Sequence, residues 1–339
     1  MTITPTTIDA DVRLVAPTGI ERIVADVFFP PPPMRRVARA VVVCLPGGGM
    51  SRGYFDLHPT DDENSYSMAR YLARAGFVVV TLDPPGVGES DRPADGYSLT
   101  PRVVADVCAS ATANILDRLR NGSVDRGVGP LENPIAIGLG HSAGGLLTVV
   151  QQARHDCYDA LVLLGFCGRG LIDVLTDDER RFADDPAGLR SALATLTEER
   201  FGDSLPVRKN STASLLVHGE PPAAAMRALR EATAPLLGLV GLTSLVPGSI
   251  RVELDAVEVP VFIGVGEHDI TGRAQEIPDD FPSSRDITLF VLAAAGHTHN
   301  VAATRARLWR RTAQWIDTMR GLRACGLRAS GLREEGEMA

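Results

Sequence analysis

The stretch that decides the fold is Pro134-Ile135-Ala136-Ile137-Gly138-Leu139-Gly140-His141-Ser142-Ala143-Gly144, followed by Gly145-Leu146-Leu147-Thr148-Val149-Val150. Its first half reads as a buried strand and its second half as an apolar helix, so Ser142 falls on the turn between them. A side chain on so sharp a turn sits in strained backbone with its hydroxyl pushed out at the sheet edge. Glycines two residues to either side, Gly140 and Gly144, remove the side chains that would collide there, and Gly145 adds clearance. The pattern therefore marks Ser142 as a candidate nucleophile.

A serine hydroxyl is a weak nucleophile near neutral pH and needs a base, which in turn needs an acid to orient it. Two later segments offer both. Val259 to Gly266 reads as a core strand and ends in Glu267-His268-Asp269; Ile287 to Leu292 reads as another and leads to Ala295-Gly296-His297-Thr298-His299. Loops at strand ends are where catalytic groups of open α/β sheets lie. Either carboxylate and either of the last two histidines satisfies the order serine, acid, histidine.

These segments resemble the α/β-hydrolase fold family, in its serine-nucleophile branch with esterase-like and lipase-like members. The likeness extends from about Val12 to about Met319. Val41 to Gly49 is similar to the family's early strand and oxyanion loop, although Pro46 stands where many members carry histidine. Gly76 to Asp83, followed by Pro85-Gly86-Val87-Gly88-Glu89-Ser90, is similar to its next strand and turn. The resemblance implies Ser142 as nucleophile, Asp269 in preference to Glu267 as acid, and His297 as base. It also implies an oxyanion hole built from the backbone N–H groups of Ala143 and of Gly48 or Gly49. A serine at the elbow excludes the dehalogenase and epoxide-hydrolase relatives, which carry a carboxylate there.

Two rival readings lose on the residues themselves. Gly138 to Ala143 also fits a relaxed dinucleotide fingerprint, but the next strand, ending Leu164-Gly165-Phe166-Cys167-Gly168, offers no acid to hold a ribose. His297, His299 and Asp269 could ligate a metal, yet they lack a third histidine or a cysteine nearby. His299 is read instead as a surface or pocket-rim residue. His141 is expected to pack or hydrogen-bond beneath the serine. With Met50, Leu236 and Val240 it completes the candidate substrate pocket. No metal or organic cofactor is required.

The expected fold class is α/β: a mostly parallel sheet with helices on both faces and a helical cap inserted after the sixth strand. Strands are expected at Val12 to Ala16 and Arg22 to Phe29, an antiparallel edge broken by Pro30 to Pro33. Strands at Val41 to Leu45, Val78 to Asp83 and Ala160 to Phe166 should alternate with helices near Ser65 to Ala75 and over Pro101 to Arg120. The core takes residues 1–166 and 257–323, and the cap takes 167–256. Within the cap Thr176 to Glu179 is a capping-box signature, Leu189, Leu193 and Leu196 recur at helical spacing, and Ser214 to His218 is its one candidate strand. The cap leaves and rejoins the core beside Ser142, so it should roof the site and favour apolar substrates. A terminal helix spans Val301 to Arg320 with Leu308, Trp315 and Met319 on one face. Residues 324–339, rich in glycine and charge, have little to bury.

Composition agrees with a soluble globular protein: 339 residues, 45% hydrophobic and 22% charged, can bury a substantial core. A formal net charge of −8, with scattered arginines, argues against nucleic acid as a partner. No apolar run is long enough for a membrane span. The N-terminus lacks a basic start and an apolar core, and five widely spaced cysteines suit reduced thiols, which together predict a cytoplasmic location. The expected activity is cleavage of a carboxylic ester, or a related acyl bond, of an apolar small molecule through an acyl-enzyme. A thioesterase, acyltransferase or cyclising enzyme would use the same triad, and a binding protein that keeps only the pocket is the remaining alternative. Oligomeric state leaves no mark on the sequence.

Overall fold

The computed structural model describes residues 3–35, 40–59, 66–125, 127–207 and 216–324. Eight strands form one sheet in the order β1-β2-β4-β3-β5-β6-β7-β8. They are β1 Thr6–Asp11, β2 Arg22–Phe28, β3 Ala40–Leu45, β4 Val78–Leu82, β5 Ile135–His141, β6 Ala160–Leu164, β7 Val261–Gly266 and β8 Ile287–Leu292. From β4 to β8 the pairs are parallel, while β1 and β2 run antiparallel at one edge. Every residue of β3, β4, β5, β6 and β7 is buried, as a sheet covered on both faces requires.

Helices supply that cover. Pro101–Arg120 and Ala143–His155 pack on one face through residues such as Val104, Ile115, Leu146 and Val150. Met68–Arg74 and Arg305–Ala324 pack on the other through Met68, Leu72, Trp309 and Ile316. The first of these helices starts where its sequence says it should. Thr100 accepts from the Val103 N–H at 3.3 Å, and Pro101 takes a position where no N–H is needed. The last begins at Arg305, after a 3-10 turn at His299–Val301, so it starts later than the expected Val301; Leu308, Trp315 and Met319 are all buried.

One edge element is displaced from its expected place. The first strand is Thr6–Asp11, whereas Val12 to Ala16 forms a turn in which Leu14 is fully exposed. Pairing decides this: Thr6 to Asp11 lie opposite Val27 to Arg22, so the apolar residues that follow become the connection. The prolines after Phe28 enter a single helical turn, Pro32–Arg35.

Strand order places the site. β3 leads outward to β4 on one side, and β5 leads to β6 on the other, so the chain reverses direction of travel between β3 and β5. Loops leaving the C-terminal ends of those neighbours diverge and open a crevice there. Between β6 and β7 the chain makes a helical excursion with helices at Asp177–Arg180, Pro186–Phe201, Ala223–Glu231, Gly238–Leu245 and Arg251–Asp255. Thr176 and Glu179 form the capping box, and Leu189, Leu193, Leu196, Leu239, Leu242 and Val246 make a small separate core. Of the candidate strand in this excursion, Ser214 and Leu215 lie outside the described residues, and Leu216 to His218 form no strand. Residues 325–339 of the expected tail are likewise outside them. No helix among the described residues is long and apolar enough to cross a membrane.

Candidate active site

Ser142 ends β5 with φ 53° and ψ −121°, a conformation that a non-glycine residue adopts only under constraint. The constraint is visible. Its N–H donates to the Leu164 carbonyl at 2.8 Å, and its own carbonyl accepts from Gly145 at 2.8 Å and Leu146 at 3.2 Å. The turn is tight enough that a Cβ at Gly140 would lie 2.4 Å from the Gly144 oxygen, and one at Gly144 would lie 2.2 Å from the Leu45 oxygen. A side chain at Gly140 would collide with the start of the following helix, and one at Gly144 would push the elbow off β3. Although Ser142 sits at the N-cap of Ala143–His155, its hydroxyl does not cap the helix and has no hydrogen-bond partner among the described residues.

The loop after β3 runs alongside. A Cβ at Gly47 would come within 3.3 Å of Ser142 Cβ, and one at Gly48 within 3.6 Å of Ala143 Cβ. Among the described residues the N–H groups of Gly48, Gly49 and Ala143 donate to no protein acceptor. Unspent amides beside an unpartnered hydroxyl are what a developing oxyanion needs. The excursion is stitched to the far end of this loop: Met50 and Thr233 form an antiparallel bridge, Ala234 N–H donates to Gly49 O at 2.9 Å, and Ser51 N–H donates to Ala232 O at 2.8 Å.

Asp269 and His297 come from the loops after β7 and β8. Asp269 Oδ1 accepts from His297 Nδ1 at 2.7 Å, which leaves His297 Nε2 without a partner among the described residues. Both side chains are buried, at 1% and 5% exposure, so the bond is sheltered from water. Burial pushes the Asp269 carboxyl up, but the bonds from His297 and His299 outweigh it and hold the group well below the usual carboxylate range. Glu267 points elsewhere. It is half exposed and accepts from the Ala294 N–H at 2.9 Å.

His299 occupies a position that differs from its sequence reading, and His141 packs and hydrogen-bonds as expected but stands apart from the candidate pocket. His299 is neither on the surface nor at a rim: it is 1% exposed, with Nε2 2.9 Å from Asp269 Oδ2. His141 lies behind the serine and does not line the cleft. It stacks on Tyr54 at 4.7 Å between centroids and donates from Nε2 to the His297 carbonyl at 2.9 Å. Burial first, then the neighbouring His297 and His299, push its imidazole well below the ordinary histidine range, so it is neutral. The histidine loop is tied down further by Asn300, which donates to Tyr54 O and accepts from Trp309 Nε1, both at 2.9 Å.

Met50, Leu236 and Val240 line a cleft with Pro46 to Gly49, Pro84, Val87, Ala143, Leu147, Pro235 and Leu237. No charged side chain lines it. Its cavity is about 20 Å³, room for roughly one water, because Leu236 seats its Cδ1 2.8 Å from where a Gly48 Cβ would stand. The approach of Leu236, like the Met50–Thr233 bridge, joins residues far apart in sequence and had no signal there. His299 did have one: a spacing of two places both rings on one side of an extended segment.

Comparison with known proteins agrees on the scaffold. No functionally curated protein matches the chain, but solved structures do. A lipase in its open form aligns with a TM-score of 0.61 at 17% identity, over 94% of this chain and 99% of its own. The monoacylglycerol lipase of Paleococcus ferrophilus aligns with a TM-score of 0.58 at 16% identity, over 94% and 100%. The bromoperoxidase of Bacillus anthracis aligns with a TM-score of 0.55 at 18% identity, over 93% and 99%. Likenesses this remote carry the fold and not the reaction. The sequence profile of the alpha/beta hydrolase family matches residues 42–309, a span that holds the turn at Ser142, the glycine loop and the loops after β7 and β8, and the chain belongs to that family.

Proposed function

We propose that the protein is a serine hydrolase that cleaves a carboxylic ester, or a related acyl bond, of an apolar small molecule. The observation that carries this reading is a strained, uncapped Ser142 at the strand-order reversal with the buried Asp269–His297 pair on the same C-terminal edge of the sheet. Family membership makes a hydrolase the natural chemistry of such a site.

In this reading the Ser142 hydroxyl gives its proton to His297 Nε2 as its oxygen bonds to the acyl carbon, and the carbonyl electron pair moves onto the oxygen. The amides of Ala143 and of Gly48 or Gly49 receive that oxyanion, a contribution of roughly 3 to 4 kcal/mol per donor. Collapse expels the alcohol, which takes the proton from His297. Water then loses a proton to His297 and attacks the acyl-enzyme, and a second collapse restores Ser142. Asp269 holds the imidazole with Nδ1 protonated and stabilises the imidazolium formed in each half.

Residues 167–256 act as a lid in this scheme. With the cleft nearly filled, Pro235 to Leu237 must shift for an acyl chain to reach Gly48, and the absence of charge along the lining favours apolar chains. Mass spectrometry after a fluorophosphonate probe tests the reading: the adduct belongs on Ser142, and Ser142→Ala should abolish both labelling and ester turnover. An adduct on a different serine, or a Ser142→Ala protein with near-normal turnover, would sink it.

A further inference from the structure

The acid of this site serves two histidines. Asp269 Oδ1 meets His297 Nδ1 at 2.7 Å, while Oδ2 meets His299 Nε2 at 2.9 Å and the Gly266 N–H at 3.0 Å. We propose that His299 is a positioning residue for the hydrolase reaction, whose Nε2–H locks the Asp269 carboxylate in the rotamer that presents Oδ1 to His297. The inference rests on the serine-hydrolase reading above.

The protonation of His299 follows from its neighbours. A carboxylate only accepts, so Nε2 carries a proton and donates it to Oδ2, while Nδ1 is buried without a partner among the described residues. That arrangement is costly, because an imidazole nitrogen has left water for no hydrogen bond in return. An aliphatic side chain would fill the same buried space without that loss. What the imidazole alone supplies is the donor on Oδ2.

The backbone makes room for this arrangement. Gly165, just past β6, has φ +59°, and a Cβ there would stand 3.0 Å from both Nδ1 and Cε1 of His297 and 3.3 Å from Cε1 of His299. One missing side chain therefore admits both rings to one carboxylate. His141 completes the packing, with centroids 4.9 Å from His297 and 5.5 Å from His299. Without the His299 donor, Oδ2 would keep only the Gly266 N–H, and the carboxylate could rotate about its terminal torsion, which is soft. His297 would then spend less time in the orientation that accepts the serine proton, an effect on turnover and not on substrate binding.

The test uses the full chain and p-nitrophenyl butyrate. His299→Leu should lower kcat about ten- to a hundredfold, the usual cost of losing a hydrogen bond to a charged group, with KM changed by no more than about twofold. His299→Gln, whose amide N–H can take the place of Nε2–H, should recover kcat to within about threefold of the parent. Thermal unfolding of each variant separates misfolding from misplacement. On the parent protein, long-range ¹H–¹⁵N correlation at pH 8 should show His299 as the Nε2–H tautomer. The proposal is overturned by a folded His299→Leu with near-parent kcat, by a folded His299→Gln as slow as the leucine variant, or by an Nδ1–H tautomer. If His299→Leu does not fold, the glutamine variant and the tautomer decide. Failure of the parent to hydrolyse esters or to label at Ser142 would instead remove the serine-hydrolase reading, and the tautomer would still report on the bond.

Discussion

The floor and the roof of the candidate site are built in opposite ways. Its floor, the C-terminal edge of β3, β5, β7 and β8, belongs to the main cores and is fixed by backbone. Ser142 is held by bonds at both ends of its peptide unit, Asp269 by Gly266, and the histidine loop by Asn300 and Trp309. Its roof comes from the excursion between β6 and β7, which has a small core of its own. The roof meets the floor at the Met50–Thr233 bridge, at Leu236 above Gly48 and at Thr298 N–H donating to Leu216 O at 2.9 Å, and its Ala228, Leu229, Leu237 and Val240 pack into the two main cores. A floor fixed by backbone hydrogen bonds can hold reacting groups to the tolerance that catalysis needs, whereas a roof held mainly by side-chain packing can shift to admit substrate. The chemistry should therefore respond steeply to changes in the floor, and selectivity should respond mildly to changes in the roof.

The largest expected effect is on the floor. Ser142→Ala should reduce ester turnover by on the order of 10⁴-fold or more, measured with a chromogenic ester, while thermal unfolding stays near that of the parent. A residual rate within tenfold of the parent would place the chemistry elsewhere.

Next comes the acid. Asp269→Asn keeps the shape of the side chain but favours the wrong His297 tautomer, so kcat should fall by about 10³- to 10⁴-fold. Glu267→Gln, at an exposed carboxylate two residues away, should leave kcat within about twofold. The contrast between them is the measurement, and an inverted ranking would show that the floor has been assigned to the wrong carboxylate.

A smaller effect concerns pH and stability. The neutral, buried His141 has a folded-state affinity for protons far below the ordinary value of 6.5. The unfolded chain therefore binds a proton that the folded chain refuses as pH falls below about 6.5, and the stability it contributes above that pH is lost on acidification. One such proton contributes a slope of about 1.4 kcal/mol per pH unit. Urea unfolding at pH 7, 6 and 5 should show this extra slope in the parent and its loss in His141→Gln. Equal slopes would mean that the imidazole is hydrated or already charged in the folded protein.

The mildest change belongs to the roof. Leu236→Ala removes the side chain that fills the space over Gly48. It should raise kcat/KM for long-chain esters relative to acetate by roughly tenfold at most, the scale on which a few methylenes discriminate. A flat chain-length profile in both proteins would separate the excursion from substrate selection and leave it a structural role.

Much of the floor was legible because its elements are local. Val41 to Leu45, Val78 to Leu82 and Ile135 to Leu139 are continuous apolar runs that only a doubly covered strand accommodates, and the glycines around Ser142 announce a turn by their own conformational needs. The first strand was misplaced because an edge strand is chosen by its partner: Thr6 to Asp11 is not especially apolar, yet its register with β2 buries Ile8 and Ala10 and leaves Leu14 in solvent. The roof was legible as helices but not as contacts.

Read alone, then, the sequence determined the parallel strands of the sheet and the strand-to-helix turn at Ser142, since each depends on residues adjacent in the chain. Tertiary structure alone decided that Asp269 is shared by two histidines, that His141 is sealed behind the serine, and that Leu236 fills the space over Gly48. Each of those joins residues brought together only when the strands align side by side, and packing at that distance leaves no periodic mark in the chain.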